Sequence, residues 1–282
     1  MKLFSGVSIL LFLMVLGCSD SEESENDSVN IPDDQDQEVP NSNFTIATGA
    51  TFEWRLDDLP NNYITDAQVI DIDAFSATPE LVANLKSQGK TVIAYLSVGS
   101  VENFRDDAND FPKEVIGNVY EGFEDENWLD IRKISLIAPI MEKRLDMIAA
   151  KSFDGIEPDN INGYQNNTGF NLNEADARTY SRYLIEQAHK RNLSIGQKNA
   201  EEIIPTLADE FDWILTEDAF ADDFYQQLTP YITLGKAVFM VEYTDRISSQ
   251  KFKKNACPEA STLSYFALLK DRDLKIEGIK CD

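Results

Sequence analysis

Short runs of β-branched and apolar residues recur along most of the chain, with helical patterns between most of them. The runs are 51–56, 67–74 (AQVIDIDA), 91–98 (TVIAYLSV), 153–161, 193–199, 213–218, 237–243 (AVFMVEY) and 263–269. Strands apolar on both faces belong in a parallel sheet, because the crossover between parallel neighbours lays a helix over each face. Two architectures satisfy this, a closed barrel and an open doubly wound sheet. The open sheet usually binds nucleotides through a Gly-rich first turn. Here there are only 13 glycines, with no G-x-G-x-x-G and no Walker-type loop. The expected fold class is therefore α/β, a (β/α)8 TIM barrel over residues 44–282, in keeping with the roughly 250 residues such a barrel needs.

The helix signals are local. Thr78 followed by Pro79 reads as an N-cap and a first helical residue, with Leu81, Val82 and Leu85 on the apolar face and Gly89 as the stop. Residues 139–151, 174–191 (capped by Asn173) and 203–210 read as further helices. The stretch 99–132 reads as one long connection, a length that usually carries function.

The first 43 residues are an address and a tether. Residues 7–16 are a nearly continuous apolar run, too short for the roughly 20 residues of a membrane span but suited to a signal-peptide core. The run ends Val15-Leu16-Gly17-Cys18, which resembles a bacterial lipobox; residues 1–17 then form a lipoprotein signal peptide and Cys18 carries the lipid. A plain secretory signal is the alternative. Residues 18–43 hold nine acids and no base and cannot bury enough apolar surface to fold. The expectation is an exported protein, lipid-anchored to a bacterial membrane.

Charge narrows the partners. The chain has 25 Lys+Arg against 50 Asp+Glu, a net −25, most of it within the domain. Nucleic acid and anionic membrane surfaces are excluded as partners, since both need a basic footprint. A cationic partner or substrate is compatible. The single histidine, His189, sits late in a helical segment and leaves no His-rich metal site and no Ser-His-Asp triad. Cys257 and Cys281 remain in the domain, either paired or as two free thiols.

Polar residues gather where the apolar strands stop: Asp71-Ile72-Asp73, Ser97 to Ser100, Glu157-Pro158-Asp159-Asn160, Gln197-Lys198-Asn199, Thr216-Glu217-Asp218 and Glu242-Tyr243. In a barrel all these ends open on one face, the face that carries active sites. Carboxylates dominate, with one lysine and nearby amides and aromatics, which is the equipment for cleaving a glycosidic bond. Trp54 and Trp128 are candidates to stack on sugars, while Trp213 at a strand start reads as core.

The runs VIDIDAF (69–75), VIAYLSVGSVENFRDDANDFP (92–112), NWLDI (127–131), FDGIEPDNINGYQNNTGF (153–170), GQKN (196–199) and GKAVFMVEY (235–243) resemble glycoside hydrolase family 114. That resemblance implies a TIM barrel that hydrolyses α-1,4-linked galactosamine-rich polysaccharide endo-wise, with acids at the ends of the fourth and sixth strands. The matching positions are Asp159 and Glu217. Around Glu217 the chain departs from the family pattern at Thr216, Asp218 and Ala219, and in its first strand at FEWRL.

The reading is an endo-glycosidase with Asp159 as nucleophile or charge stabiliser and Glu217 as general acid. Asp71, Asp73, Tyr95, Arg105, Asn160, Tyr164, Lys198, Glu242 and Tyr243 are expected to contact sugar or tune that pair. No cofactor or metal is required. A barrel that binds glycan without turnover, or one acting on another α-glycan, is the alternative. Retention or inversion is not legible, because it depends on the carboxyl separation.

Overall fold

The computed structural model describes residues 45–274 and 278–281. The signal segment 1–17, Cys18 and the whole tether to residue 43 lie outside the described residues. In chain order the strands are β1 Phe52–Arg55, β2 Val69–Asp73, β3 Thr91–Ser97, β4 Ser100–Glu102, β5 Ile116–Tyr120, β6 Phe123–Leu129, β7 Gly155–Asp159, β8 Ser194–Lys198, β9 Trp213–Glu217, β10 Val238–Tyr243, β11 Phe266–Lys270 and β12 Ile279–Lys280. The helices are α1 Pro79–Ser87, α2 Ile134–Ala150, α3 Glu174–His189, α4 Ile204–Leu207, α5 Thr229–Thr233, α6 Ser249–Lys251 and α7 Cys257–Leu263.

Eight strands, β1, β2, β3, β7, β8, β9, β10 and β11, pair in parallel in that order. This is the expected TIM-barrel fold. Side chains alternate along each strand between two separate cores. Ile70, Ile72, Val92, Ala94, Leu96, Ile156, Ile195, Ile214 and Met240 face outward under the helices. Phe52, Trp54, Val69, Ile93, Trp213, Leu215, Phe239, Val241 and Leu268 fill the interior. Gly196 makes room there, since a Cβ on it would lie 2.6 Å from the Trp213 ring. The interior is apolar at the strand starts and polar at their carboxyl ends, where Asp71, Asp73, Tyr95, Glu157, Asp159, Lys198, Glu217 and Tyr243 succeed the apolar layer on the same face.

The seam of the barrel is unusual. Among the described residues no ladder joins β1 to β11; β12 pairs antiparallel along β11 instead. The buried Lys270 on β11 bridges the gap by donating to the Trp54 carbonyl on β1. Burial lowers the Lys270 pKa to about 8. A Cys257–Cys281 disulfide ties the end of β12 to α7, so the two cysteines pair.

Local signals held where they were capped. Thr78 accepts from Leu81 N at 3.1 Å, and Asn173 and Asp176 form a capping box on α3. Two expectations change. The helix read from 139 begins at Ile134, with Pro139 inside it; fully buried Ile137 docks the extra turn, and that packing outweighs the missing proline N–H. The stretch 99–132 is not bare loop but carries an antiparallel sheet in the order β4-β6-β5. Its register shifts and exposed acids (FEDENWL) hid its alternation.

Candidate functional site

β7, β8 and β9 each deliver one charged side chain to the carboxyl face and then turn sharply. Asp159, Lys198 and Glu217 are followed by Asn160 (φ 68°), Asn199 (φ 47°) and Asp218 (φ 54°), left-handed positions that Asn and Asp tolerate best among non-glycine residues. Three neighbouring strands thus end abruptly and aim their last side chains into one cavity of about 270 Å³.

Lys198 is at its centre. Its Nζ is 2.7 Å from Glu157 Oε1, 2.9 Å from Asp159 Oδ1 and 3.3 Å from Glu217 Oε2. The Trp54 ring lies beneath the ammonium, 4.6 Å away. Burial works against the charge on Lys198, but Asp159, Glu157 and Glu217 outweigh it and hold the pKa well above the usual lysine value.

Asp159 also accepts from the Tyr95 hydroxyl at 3.0 Å. Glu217 accepts from the Tyr243 hydroxyl and from Asn199 Nδ2 at 2.9 Å, and its own N–H is fixed by Asn199 Oδ1 at 2.8 Å. Burial alone would push the Glu217 pKa up. The Lys198 charge and the Tyr243 and Asn199 hydrogen bonds reverse this, leaving it below the usual carboxyl value. Glu126 on β6, which accepts from Ser100 at 2.7 Å, goes the other way: burial pushes its pKa up to about 7.

The cavity is the middle of a longer cleft. It shares Leu56, Tyr95, Phe123 and Glu126 with a cavity of about 340 Å³ on one side. It shares Asn162, Asn199 and Glu217 with one of about 490 Å³ on the other. Among the described residues the first arm carries Asp58, Asp73, Glu102 and Glu126 against one base, Arg105; the second carries Glu201, Asp222 and Asp223 and no base.

The expected residues divide. Asp159, Glu217, Tyr95, Asn160, Lys198 and Tyr243 line the central cavity. Asp73 and Arg105 line the first arm, paired to each other, with Arg105 also bonded to Glu102. Asp71 and Glu242 are fully buried and line none of these three cavities, so neither is placed to contact sugar; tuning of the pair is the part of the expectation left to them. Glu242 instead accepts from the Phe220 and Ala221 N–H groups at 2.7 and 3.1 Å, pinning the loop after β9. Tyr164 lies outside the cavity walls and donates to Glu202 at 2.7 Å. Trp54 lines the floor of the central cavity beneath Lys198 and Trp128 lines a separate one, but at 1% and 2% exposed neither offers a ring face for a sugar to stack on, and Trp213 is core.

The aromatic walls are Tyr120 and the 56%-exposed Phe123, facing each other across the β5–β6 turn. The signal for them was Tyr-Glu-Gly-Phe, two residues ending in glycine between two extended runs; Gly122 has φ 89°. Glu126, Asn199, Arg272 and Leu274 also line the cavity and were not expected. The departures near Glu217 do not touch the cleft. Thr216 and Ala219 are buried, and Asp218 pairs with Arg272 and Arg246. Among the described residues no group of His, Cys, Asp and Glu has metal-site geometry.

A carboxyl pair bridged by one ammonium, midway along an open acidic cleft at the carboxyl face of a parallel barrel, places the protein among the barrel glycoside hydrolases. More narrowly, the chain belongs to glycoside-hydrolase family GH114, whose sequence profile matches residues 33–282. It is similar to Ega3 of Aspergillus fumigatus, solved in complex with galactosamine, with 31% identity and a TM-score of 0.81 over 86% of this chain and 100% of that one. The glycoside hydrolase domain of PelA from Pseudomonas aeruginosa shares the fold at 16% identity and a TM-score of 0.63, over 82% of this chain and 98% of that one. Comparison with curated proteins returns no match.

Proposed function

We propose that the protein cleaves α-1,4-linked galactosamine-rich polysaccharide at internal bonds, with Asp159 as nucleophile and Glu217 as general acid. The observation that carries this is the single Lys198 ammonium in contact with both carboxyl groups in the middle of the cleft. The Asp159 and Glu217 oxygens lie no farther apart than 2.9 and 3.3 Å laid end to end. That supports the roughly 5–5.5 Å separation of a retaining pair over the roughly 6.5–9.5 Å that leaves room for water in an inverting one. Asp159 attacks the anomeric carbon as Glu217 gives its proton to the departing oxygen. Glu217 then takes a proton from the water that releases the sugar. Since Lys198, Tyr243 and Asn199 hold Glu217 ionised when the cleft is empty, it acquires its proton with the substrate or at acidic pH.

Arms on both sides of the pair accommodate a chain running past it, which supports endo cleavage. Their acidity suits a polymer carrying free ammonium groups. The galactosamine bound to Ega3 supports the same sugar here. The test is release of reducing ends from deacetylated, partly acetylated and fully acetylated α-1,4-galactosamine polymer, with a neutral α-glucan as control. Binding without release would favour the glycan-binding alternative.

Export and anchoring through Cys18 form part of the same proposal. The Cys257–Cys281 disulfide supports an oxidising compartment. Cys18→Ala should release the protein from the membrane fraction; a mutant that stays membrane-bound while wild type is soluble would overturn it.

A further inference from the structure

Behind Lys198, away from the cleft, lie two carboxyl groups that the proposed hydrolysis does not use. Asp71 on β2 and Glu157 on β7 are both fully buried. Glu157 Oε1 takes the Lys198 ammonium at 2.7 Å. Among the described residues Glu157 Oε2 and both Asp71 oxygens have no N–H or O–H donor, although buried carboxylate oxygens require one. The two side chains are nevertheless in hydrogen-bonding contact with each other. Two carboxylates offer four acceptors and no donor and repel; with one proton between them the contact becomes a hydrogen bond.

The charge count agrees. Around Lys198 stand Asp71, Glu157, Asp159 and Glu217, four carboxyl groups to one ammonium, with Tyr95 and Tyr243 donating to the outer two. Among the described residues Asp71 has no cation of its own, and the strand neighbours in register with it are Trp54 and Ile93.

We propose that Asp71 carries a proton at neutral pH, donates it to Glu157, and so acts as a positioning residue that holds Glu157, and through it Lys198, in place for Asp159 and Glu217. Burial and the charge of Glu157 raise the Asp71 pKa well above the usual value, in the same direction. The chain Asp71–Glu157–Lys198 runs from the barrel interior to the cleft. Its inner end is neutral, its middle is one anion and one cation, and its outer end is the carboxyl pair. The catalytic part of this inference rests on the proposed hydrolysis; the location of the proton does not.

Two measurements separate them. The infrared difference spectrum at pH 7 between wild type and Asp71→Asn should contain a protonated-carboxyl band, and that band should move when only aspartate is carboxyl-labelled with carbon-13. Absence of the band, or indifference to the label, overturns the proposal whether or not the protein hydrolyses anything. In turnover assays, Asp71→Asn still donates an N–H to Glu157 and should keep most of the wild-type kcat. Asp71→Ala, confirmed folded by circular dichroism, should lose about 10²-fold in kcat with little change in KM, the scale of misplacing a reacting group by about an ångström. Equal kcat in the alanine and asparagine variants would overturn the positioning role. No cleavage by wild type, with the labelled band present, would sink the hydrolase reading and leave the proton assignment standing.

Discussion

Lys198 Nζ stands 2.9 Å from Asp159 Oδ1, and the two residues are the last of adjacent parallel strands. The same ammonium reaches Glu217 on the next strand. One cation thus keeps two carboxyl groups close together, at an energy that repulsion would otherwise oppose.

Asp159→Asn and Glu217→Gln should each lower polymer cleavage by at least about 10²–10⁴-fold, the usual worth of acid–base assistance. Both keep side-chain shape, so melting temperature should change little and substrate binding should outlast turnover. Near wild-type cleavage by well-folded Glu217→Gln would move the search to Glu126.

Tyr243→Phe separates the two roles. The hydroxyl helps keep Glu217 below its usual pKa, so its loss raises that pKa. A general acid works protonated, so activity falls as pH rises through its pKa. In Tyr243→Phe the falling limb of kcat/KM against pH should therefore move to higher pH. If the rising limb moves instead, Glu217 is the nucleophile and Asp159 the acid.

Glu126 gives the cleft a charge that develops near neutrality. Its pKa is about 7, so it becomes an anion as pH rises through that value. KM for a deacetylated polymer should fall over that range, and KM for a fully acetylated one should not. Glu126→Gln should flatten the trend; an unchanged trend would place the titrating group elsewhere.

The disulfide closes a separation of 24 residues and holds β12 along β11, where the barrel ladder is interrupted. Replacing both cysteines with serine should cost about 3–4 kcal/mol, the chain-entropy value for a loop of this size. Chemical denaturation of wild type with and without reductant measures it. A difference under about 0.5 kcal/mol would mean that the β11–β12 pairing and Lys270 secure the seam alone.

Periodicity and caps are properties of neighbouring residues, so the eight strand runs, the Thr78 and Asn173 caps and the family motifs around Asp159 and Glu217 were all legible in the chain. Polar strand ends pointed to the right face of the barrel for the same reason. The depth of each side chain was not legible. Asp71 and Asp73 lie two residues apart on one face of β2, yet one is fully buried against Glu157 and the other lines a cleft arm with Arg105. Glu242 and Tyr243 are adjacent, yet alternation turns one toward the Phe220 loop and the other toward Glu217. Hidden too were the pairing of Cys257 with Cys281, the β5–β6 hairpin that brings Phe123 over the cleft, and the meeting of three strands at one ammonium. Each depends on residues distant in sequence whose separation is set only when the sheet curls, and only there do burial and neighbouring charge decide which carboxyl group holds a proton.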